Sequence, residues 1–217
     1  MPDAQTPVAI VTVNESAEAH YQIYGEAIAT VVHALRDRLD EAVRESAALF
    51  LSSNTLVWAE EREVSMHARA VALEHERPVI FDPNLRLHRW SSHADAAASA
   101  NACVPGALLV RCNRAEAALM TGEDDPERAA QALVKAGARL VVITLGADGA
   151  LLRGELRADA PGVRARVVST IGAGDVLTGV LLARLALSGF YPPAIAASLR
   201  DAVSQSARAC ERWGALE

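Results

Sequence analysis

The stretch Ser169-Thr170-Ile171-Gly172-Ala173-Gly174-Asp175 runs straight into an apolar segment from Val176 to Leu187. Two glycines let a backbone turn sharply and approach a ligand closely. With a helix over the apolar segment, the amides of Gly172, Ala173 and Gly174 stand at its start, where unpaired N–H groups and the helix dipole favour an anion. Asp175 lies at the same end, and two roles suit it equally well. It can cap the helix, a contribution of about 1 kcal/mol. It can also act as a general base, taking the proton from a hydroxyl that attacks a bound phosphate. Two other phosphate motifs are excluded. A dinucleotide fingerprint needs a third glycine where this chain has Leu177, and a P-loop needs a glycine-rich run before a lysine, which the single lysine, Lys135, lacks.

Three more clusters follow strand-like runs. Thr144-Leu145-Gly146-Ala147-Asp148-Gly149 comes after the β-branched run Leu140 to Leu145, and reads either as an ordinary turn or as a loop that bares its backbone to a ligand. Asn113-Arg114-Ala115-Glu116 has the spacing of a helix capping box. In its functional reading, amide and carboxylate face hydrated Mg²⁺ and its phosphates. Asp82-Pro83-Asn84-Leu85-Arg86, with Trp90 close behind, is turn-forming, while Arg86 could pair with a phosphate or carboxylate. Together the four clusters supply an anion hole, a base, a metal-orienting carboxylate and an arginine, the parts needed for phosphoryl transfer without a P-loop.

The elements that must hold these clusters alternate between strand and helix. Pro7 to Tyr24 reads as two strands around a turn, marginal in isolation, and Gly25 to about Arg44 as a helix. Strands are expected at Ala47–Ser52, Pro78–Asp82, Ala107–Arg111, Leu140–Leu145, Ala150–Arg153 and Val163–Val168. Helices are expected at Leu56–Glu76, Ser92–Cys103, Arg114–Met120, Pro126–Ala136, Ala173–Ser188 and Pro193–Trp213. Such alternation predicts an α/β fold with a mostly parallel sheet covered by helices, and ligands beyond the carboxyl ends of the strands.

Composition narrows the function classes. The 217 residues are 51% apolar, enough for a core without disulfides or metal. Net charge is −6 and the basic residues are scattered, which argues against a nucleic-acid groove. No apolar run reaches the length of a membrane span, and no secretory leader is visible. Cys103, Cys112 and Cys210 lack metal-ligand or redox spacing, so reduced thiols and a cytoplasmic location are expected.

In their order along the chain, these motifs resemble those of the ribokinase-like (PfkB) carbohydrate kinases. Gly172-Ala173-Gly174-Asp175 after Ser169-Thr170, the Thr144–Gly149 loop, and Asn113-x-x-Glu116 followed by Leu119-Met120-Thr121-Gly122 carry the likeness. Asp82-Pro83-Asn84-Leu85-Arg86 with Trp90 is similar to the branch of 2-keto-3-deoxygluconate kinases and bacterial fructokinases. The resemblance implies ATP-dependent phosphorylation of a hydroxyl on a small sugar or sugar acid. It makes Asp175 the base, with Gly172, Ala173 and Gly174 as the anion hole. Asn113 and Glu116 would organise Mg²⁺ through water, Thr144, Gly146 and Gly149 would line the nucleotide site, and Asn84 and Arg86 would face substrate. The last two helices would form the adenine pocket. Where the family usually carries Asp at a position linked to a monovalent cation, this chain has Ser169, so no such cation is carried over. Residues 1–24 would be a remnant of the family's lid hairpin, and 25–217 a ribokinase-like domain that binds nucleotide and phosphate. The glycine-rich N-terminal βα region is not seen, so a shortened member is expected, whose lid and strand edge invite homo-oligomers. The rival expectation is a catalytically silent nucleotide-binding or assembly module derived from such a kinase.

Overall fold

The computed structural model describes residues 8–13, 19–24 and 34–213. Strands β1 (Val8–Val13) and β2 (Ala19–Tyr24) form an antiparallel hairpin, with Val8 opposite Tyr24 and Val13 opposite Ala19. The hairpin is a two-stranded sheet of its own.

The main sheet has six strands in chain order: β3 (Leu49–Ser52), β4 (Val79–Asp82), β5 (Leu109–Asn113), β6 (Leu140–Thr144), β7 (Gly149–Gly154) and β8 (Ala158–Pro161). β3 to β6 are parallel, and β7 and β8 return antiparallel. The expected mostly parallel sheet is therefore present. The described helices are α1 (Leu39–Glu45), α2 (Ala59–Glu74), α3 (His93–Asn101), α4 (Arg114–Thr121), α5 (Pro126–Lys135), α6 (Ala173–Leu187) and α7 (Pro193–Ala209).

Both sheet faces are apolar because both are covered. On one face Phe81, Val110, Val141 and Ile143 pack with Ala68, Val71 and Ala72 of α2, Ala96 and Ala100 of α3, Ala117 of α4, and Ala129 and Leu133 of α5. On the other, Ile80, Leu109, Leu140, Val142 and Leu152 meet Leu177, Leu181 and Leu185 of α6 and Ile195, Leu199 and Val203 of α7. Alanine on the helices lets them lie close to the first face, and leucine fills the second.

Three expectations are corrected. The helix predicted from Gly25 to Arg44 falls partly outside the described residues (25–33), and within them a 3₁₀ turn at Arg36–Arg38 interrupts it before α1. β5 extends two residues beyond Arg111, because its ladder with β6 continues until Asn113 faces Thr144. Residues Val163 to Val168 do not form a strand; the pairing goes to Ala158–Pro161, where Ala160 is buried opposite Ala150. Val163 and Val167 are exposed, and the amide of Val168 donates instead to the Cys210 carbonyl at the end of α7. β propensity without an available edge produced no strand there.

Arg153 on β7 is nearly buried and fully engaged. Its Nη2 lies 2.6 Å from Glu127 Oε2 and 2.8 Å from Asp159 Oδ1, and its Nη1 donates to the carbonyls of Leu152 and Ala158. Arg157 adds a second cation on Glu127, at 2.9 Å. The hydrogen bond from Arg153 is the main reason that the Glu127 carboxyl is pushed down from 4.5 to about 2. As pH falls, the unfolded chain takes up this proton near 4.5 and the folded chain only near 2, so the contribution is present above that window and lost across it. Glu127→Gln is expected to lower the urea midpoint at pH 7 and to flatten its fall between pH 4.5 and 2. Identical pH profiles for the two proteins would refute the assignment.

Candidate active site

The register of the parallel strands brings polar side chains together at their carboxyl ends. Asp82 ends β4, Asn113 ends β5 and Thr144 ends β6, with Arg111 one pleat earlier on the same face as Asn113. Asp82, Arg111 and Thr144 sit on the face that α6 covers, directly above the apolar layer of Ile80, Leu109 and Val142. Arg111 Nη1 donates to Asp82 Oδ2 at 3.2 Å, and its Nη2 donates to Thr144 Oγ1 at 3.3 Å. Thr178, from the second turn of α6, donates its hydroxyl to the same Asp82 oxygen at 2.8 Å. Burial pushes the Asp82 carboxyl up, against the pull of Arg111 and Thr178, and the negative charge of Asp175 pushes the same way.

The glycine turn opens α6 as expected. Gly172 is the N-cap, with φ +78° and no side-chain acceptor for the first amides of the helix. One amide of the expected three is already used, since Ala173 N donates to the Thr170 carbonyl at 3.3 Å. Those of Gly172 and Gly174 have no carbonyl partner outside the helix among the described residues. Asp175 is at the third helical position and exposed, and its carboxylate accepts no hydrogen bond from a described residue. Of the two roles open to it, capping is not realised. Ser169 is fully buried; its hydroxyl accepts from the Ile171 amide at 3.2 Å and its own amide reaches the Cys210 carbonyl, so it shapes the turn internally.

Asn113 and Glu116 form a complete capping box. Asn113 Oδ1 accepts from Glu116 N at 2.9 Å, and Glu116 Oε2 accepts from Asn113 N at 2.9 Å. Glu116 does more than cap, because its Oε1 accepts from Leu85 N at 2.8 Å and so ties the loop after β4 to the end of β5. Burial raises its carboxyl despite the two amide bonds. Each oxygen already holds one amide and retains a lone pair that a water could use. Among the described residues no group of three or more His, Cys, Asp or Glu could hold a metal ion.

A cavity of about 600 Å³ opens between the β6–β7 turn, the glycine turn and the last two helices, and its walls include Arg111, Thr144, Gly146, Gly149, Gly174 and Leu177. Ser206, Ala207 and Cys210 close the far side, while Val163 and Val167 flank it. That volume lies in the range of small-molecule sites. Asn84 and Arg86 are not in this wall; Asn84, with φ +41°, turns the chain after β4 and its carbonyl accepts from Ser53 Oγ at 3.4 Å.

The two glycines of the β6–β7 turn differ. Gly149 is required by the fold, because a Cβ there would fall on the Ala160 carbonyl oxygen. At Gly146 a Cβ would meet nothing within 4 Å, and only its φ of +62° calls for glycine. Gly146→Ala should therefore cost about 1–2 kcal/mol from the left-handed backbone, and Gly149→Ala about 3 kcal/mol or more, since strand displacement is added. Chemical denaturation checks the order; equal losses would mean that the hairpin yields freely.

Sequence reasoning missed Arg111 and Thr178. The visible signal was a charged residue inside the apolar run Leu108 to Cys112, since an arginine in a covered strand must find a partner. The last two helices border the cavity, through Ala173, Gly174 and Leu177 of α6 and Val203, Ser206 and Ala207 of α7.

The six-stranded, mostly parallel sheet flanked by helices is the fold of the ribokinase-like sugar kinases. The model of the pfkB family of carbohydrate kinases matches residues 1–214, and the chain belongs to that family. Fructokinase-1 of Oryza sativa subsp. japonica is 27% identical over 184 residues, covering 84% of this chain and 57% of that protein. The probable fructokinase-4 of Arabidopsis thaliana is 29% identical over 186 residues, covering 84% and 56%. Among solved structures, a fructokinase double mutant from Vibrio cholerae O395, bound to fructose, ADP and potassium ion, superposes with a TM-score of 0.80 at 25% identity, covering 99% of this chain and 70% of that one. Aminoimidazole riboside kinase from Salmonella enterica, complexed with aminoimidazole riboside and an ATP analogue, gives 0.70 at 28% identity, covering 76% and 57%. The chain thus spans a little over half the length of the curated relatives it matches. No described helix is long and apolar enough to cross a membrane.

Proposed function

We propose that this chain carries the phosphoryl-transfer half of an ATP-dependent sugar kinase, acting on a hydroxyl of a fructose-like sugar or a 2-keto-3-deoxygluconate-like sugar acid. The observation that carries the reading is the first turn of α6, where Gly172 and Gly174 amides without carbonyl partners adjoin an exposed Asp175 that makes no cap. Asp175 takes the proton of the attacking hydroxyl, and the two amides stabilise charge on the transferred group. The cavity beside Thr144 and Gly146 accepts the nucleotide, with α7 forming its far wall. Mg²⁺, when bound with the nucleotide, neutralises phosphate charge. Glu116 would orient its water through lone pairs left over from the capping box, with Asn113 beside it. Asn84 and Arg86, on the loop that Glu116 holds, face the sugar.

The ligands of the related structures, fructose with ADP in one and a riboside with an ATP analogue in another, support a sugar and a nucleotide as co-substrates. ADP release is measured with fructose, 2-keto-3-deoxygluconate and ribose in turn. Sugar-stimulated turnover with one of them is expected. ATP binding with no turnover on any sugar would favour the silent-module reading.

A further inference from the structure

The reading above gives the ion pair beneath the glycine turn no role in the reaction, although Arg111 forms part of the cavity wall. Arg111 and Asp82 retain 7% and 2% of their surface, and each keeps one polar atom, Nε and Oδ1, without a hydrogen-bond partner among the described residues. A buried ion pair is weak evidence for a purely stabilising role, because desolvation offsets its attraction. Its contacts with α6 are specific. A Cβ at Gly174 would stand 2.8 Å from both terminal nitrogens of Arg111, so the guanidinium fills the space that this glycine leaves open. Thr178, four residues on, is bonded to the Asp82 oxygen that Arg111 also holds. The clamp therefore touches α6 immediately before and three residues after Asp175.

We propose that Arg111, held by Asp82, is a positioning residue that seats the first turn of α6 and thereby sets the direction of the Gly174 amide and the Asp175 carboxylate. This rests on the kinase reading for its effect on rate, while the seating itself is a property of the folded chain. Gly174 is then glycine because the guanidinium below occupies the place of a Cβ.

The test is a cycle of Arg111→Met, Gly174→Ala and the two combined, with Asp82→Val/Arg111→Met as a version that leaves no lone buried charge. In folded variants, kcat is expected to fall at least 30-fold for Gly174→Ala while Arg111 is in place. Added to Arg111→Met, the same substitution should lower kcat less than threefold further. Asp82→Val/Arg111→Met should show the same loss of kcat as Arg111→Met. Arg111→Lys, which restores a cation, should recover part of it. Hydrogen exchange at the Val176, Leu177 and Thr178 amides should speed at least tenfold in Asp82→Val/Arg111→Met relative to the rest of α6. An equal effect of Gly174→Ala with and without Arg111→Met, or unchanged exchange in the charge-free pair, overturns the proposal. Absence of sugar-dependent turnover in the unaltered protein defeats the kinase reading instead, and the exchange experiment then decides the seating by itself.

Discussion

Asp175→Ala is expected to lower sugar-stimulated ADP formation by about 10²–10⁴-fold, the usual worth of a positioned general base. Asp175→Asn should behave alike, because the amide keeps the size and loses the proton acceptor. ATP affinity should stay within a few-fold, since the carboxylate is exposed and bonded to no described residue. Melting should also change little, as substitutions at such surface positions stay within about 0.5 kcal/mol. The combination of a collapsed kcat with unchanged fold and binding separates a base from a cap. Had Asp175 capped α6, its loss would appear in stability by about 1 kcal/mol and would leave the rate largely alone. Turnover that survives either substitution would remove Asp175 from the chemistry.

The second large effect concerns stability. Asp82→Ala leaves the Arg111 guanidinium buried with the Thr144 hydroxyl as its side-chain hydrogen-bond partner among the described residues. Removing one member of a buried pair costs about 3–5 kcal/mol, because the remaining charge is neither solvated nor compensated. For a chain of this length that corresponds to a fall in melting temperature of about 6–20 °C. Replacing both partners, as in Asp82→Val/Arg111→Met, should restore most of that loss, since an apolar pair avoids the desolvation cost altogether. Calorimetry of the three proteins gives the comparison. A melting point for Asp82→Ala within a degree or two of the unaltered chain would mean that water or a shifted side chain already solvates the guanidinium.

Much of this architecture was legible without coordinates because it depends on local pattern. Leu140 to Thr144 is a continuous β-branched and apolar run, and it forms a strand buried on both faces. Asn113 and Glu116 three residues apart read as a capping box, and that box is complete. Gly172 and Gly174 before an apolar segment read as a helix start with bare amides, and two of the three expected amides remain available. Each of these features is decided within a few residues, by backbone sterics, periodicity or a single side chain reaching its own helix.

What depended on distant partners was not legible. Val163 to Val168 had the composition of a strand, yet the free edge of β7 was taken by Ala158–Pro161. Gly149 looked like Gly146 in sequence, but β8 crowds one and leaves the other open. Whether Asp175 caps or stands free followed only from its surroundings.

Residue types and spacing along the chain thus determined the α/β alternation, the family and the positions where phosphate chemistry could occur. Tertiary structure alone decided that Arg111 would find Asp82 29 residues away, that Thr178 would join them from 96 residues away, and that Gly174 would yield them room. The physical reason is that a buried charge is tolerable only beside a partner, and pairing across parallel strands and a covering helix chooses that partner by register, which no local pattern encodes.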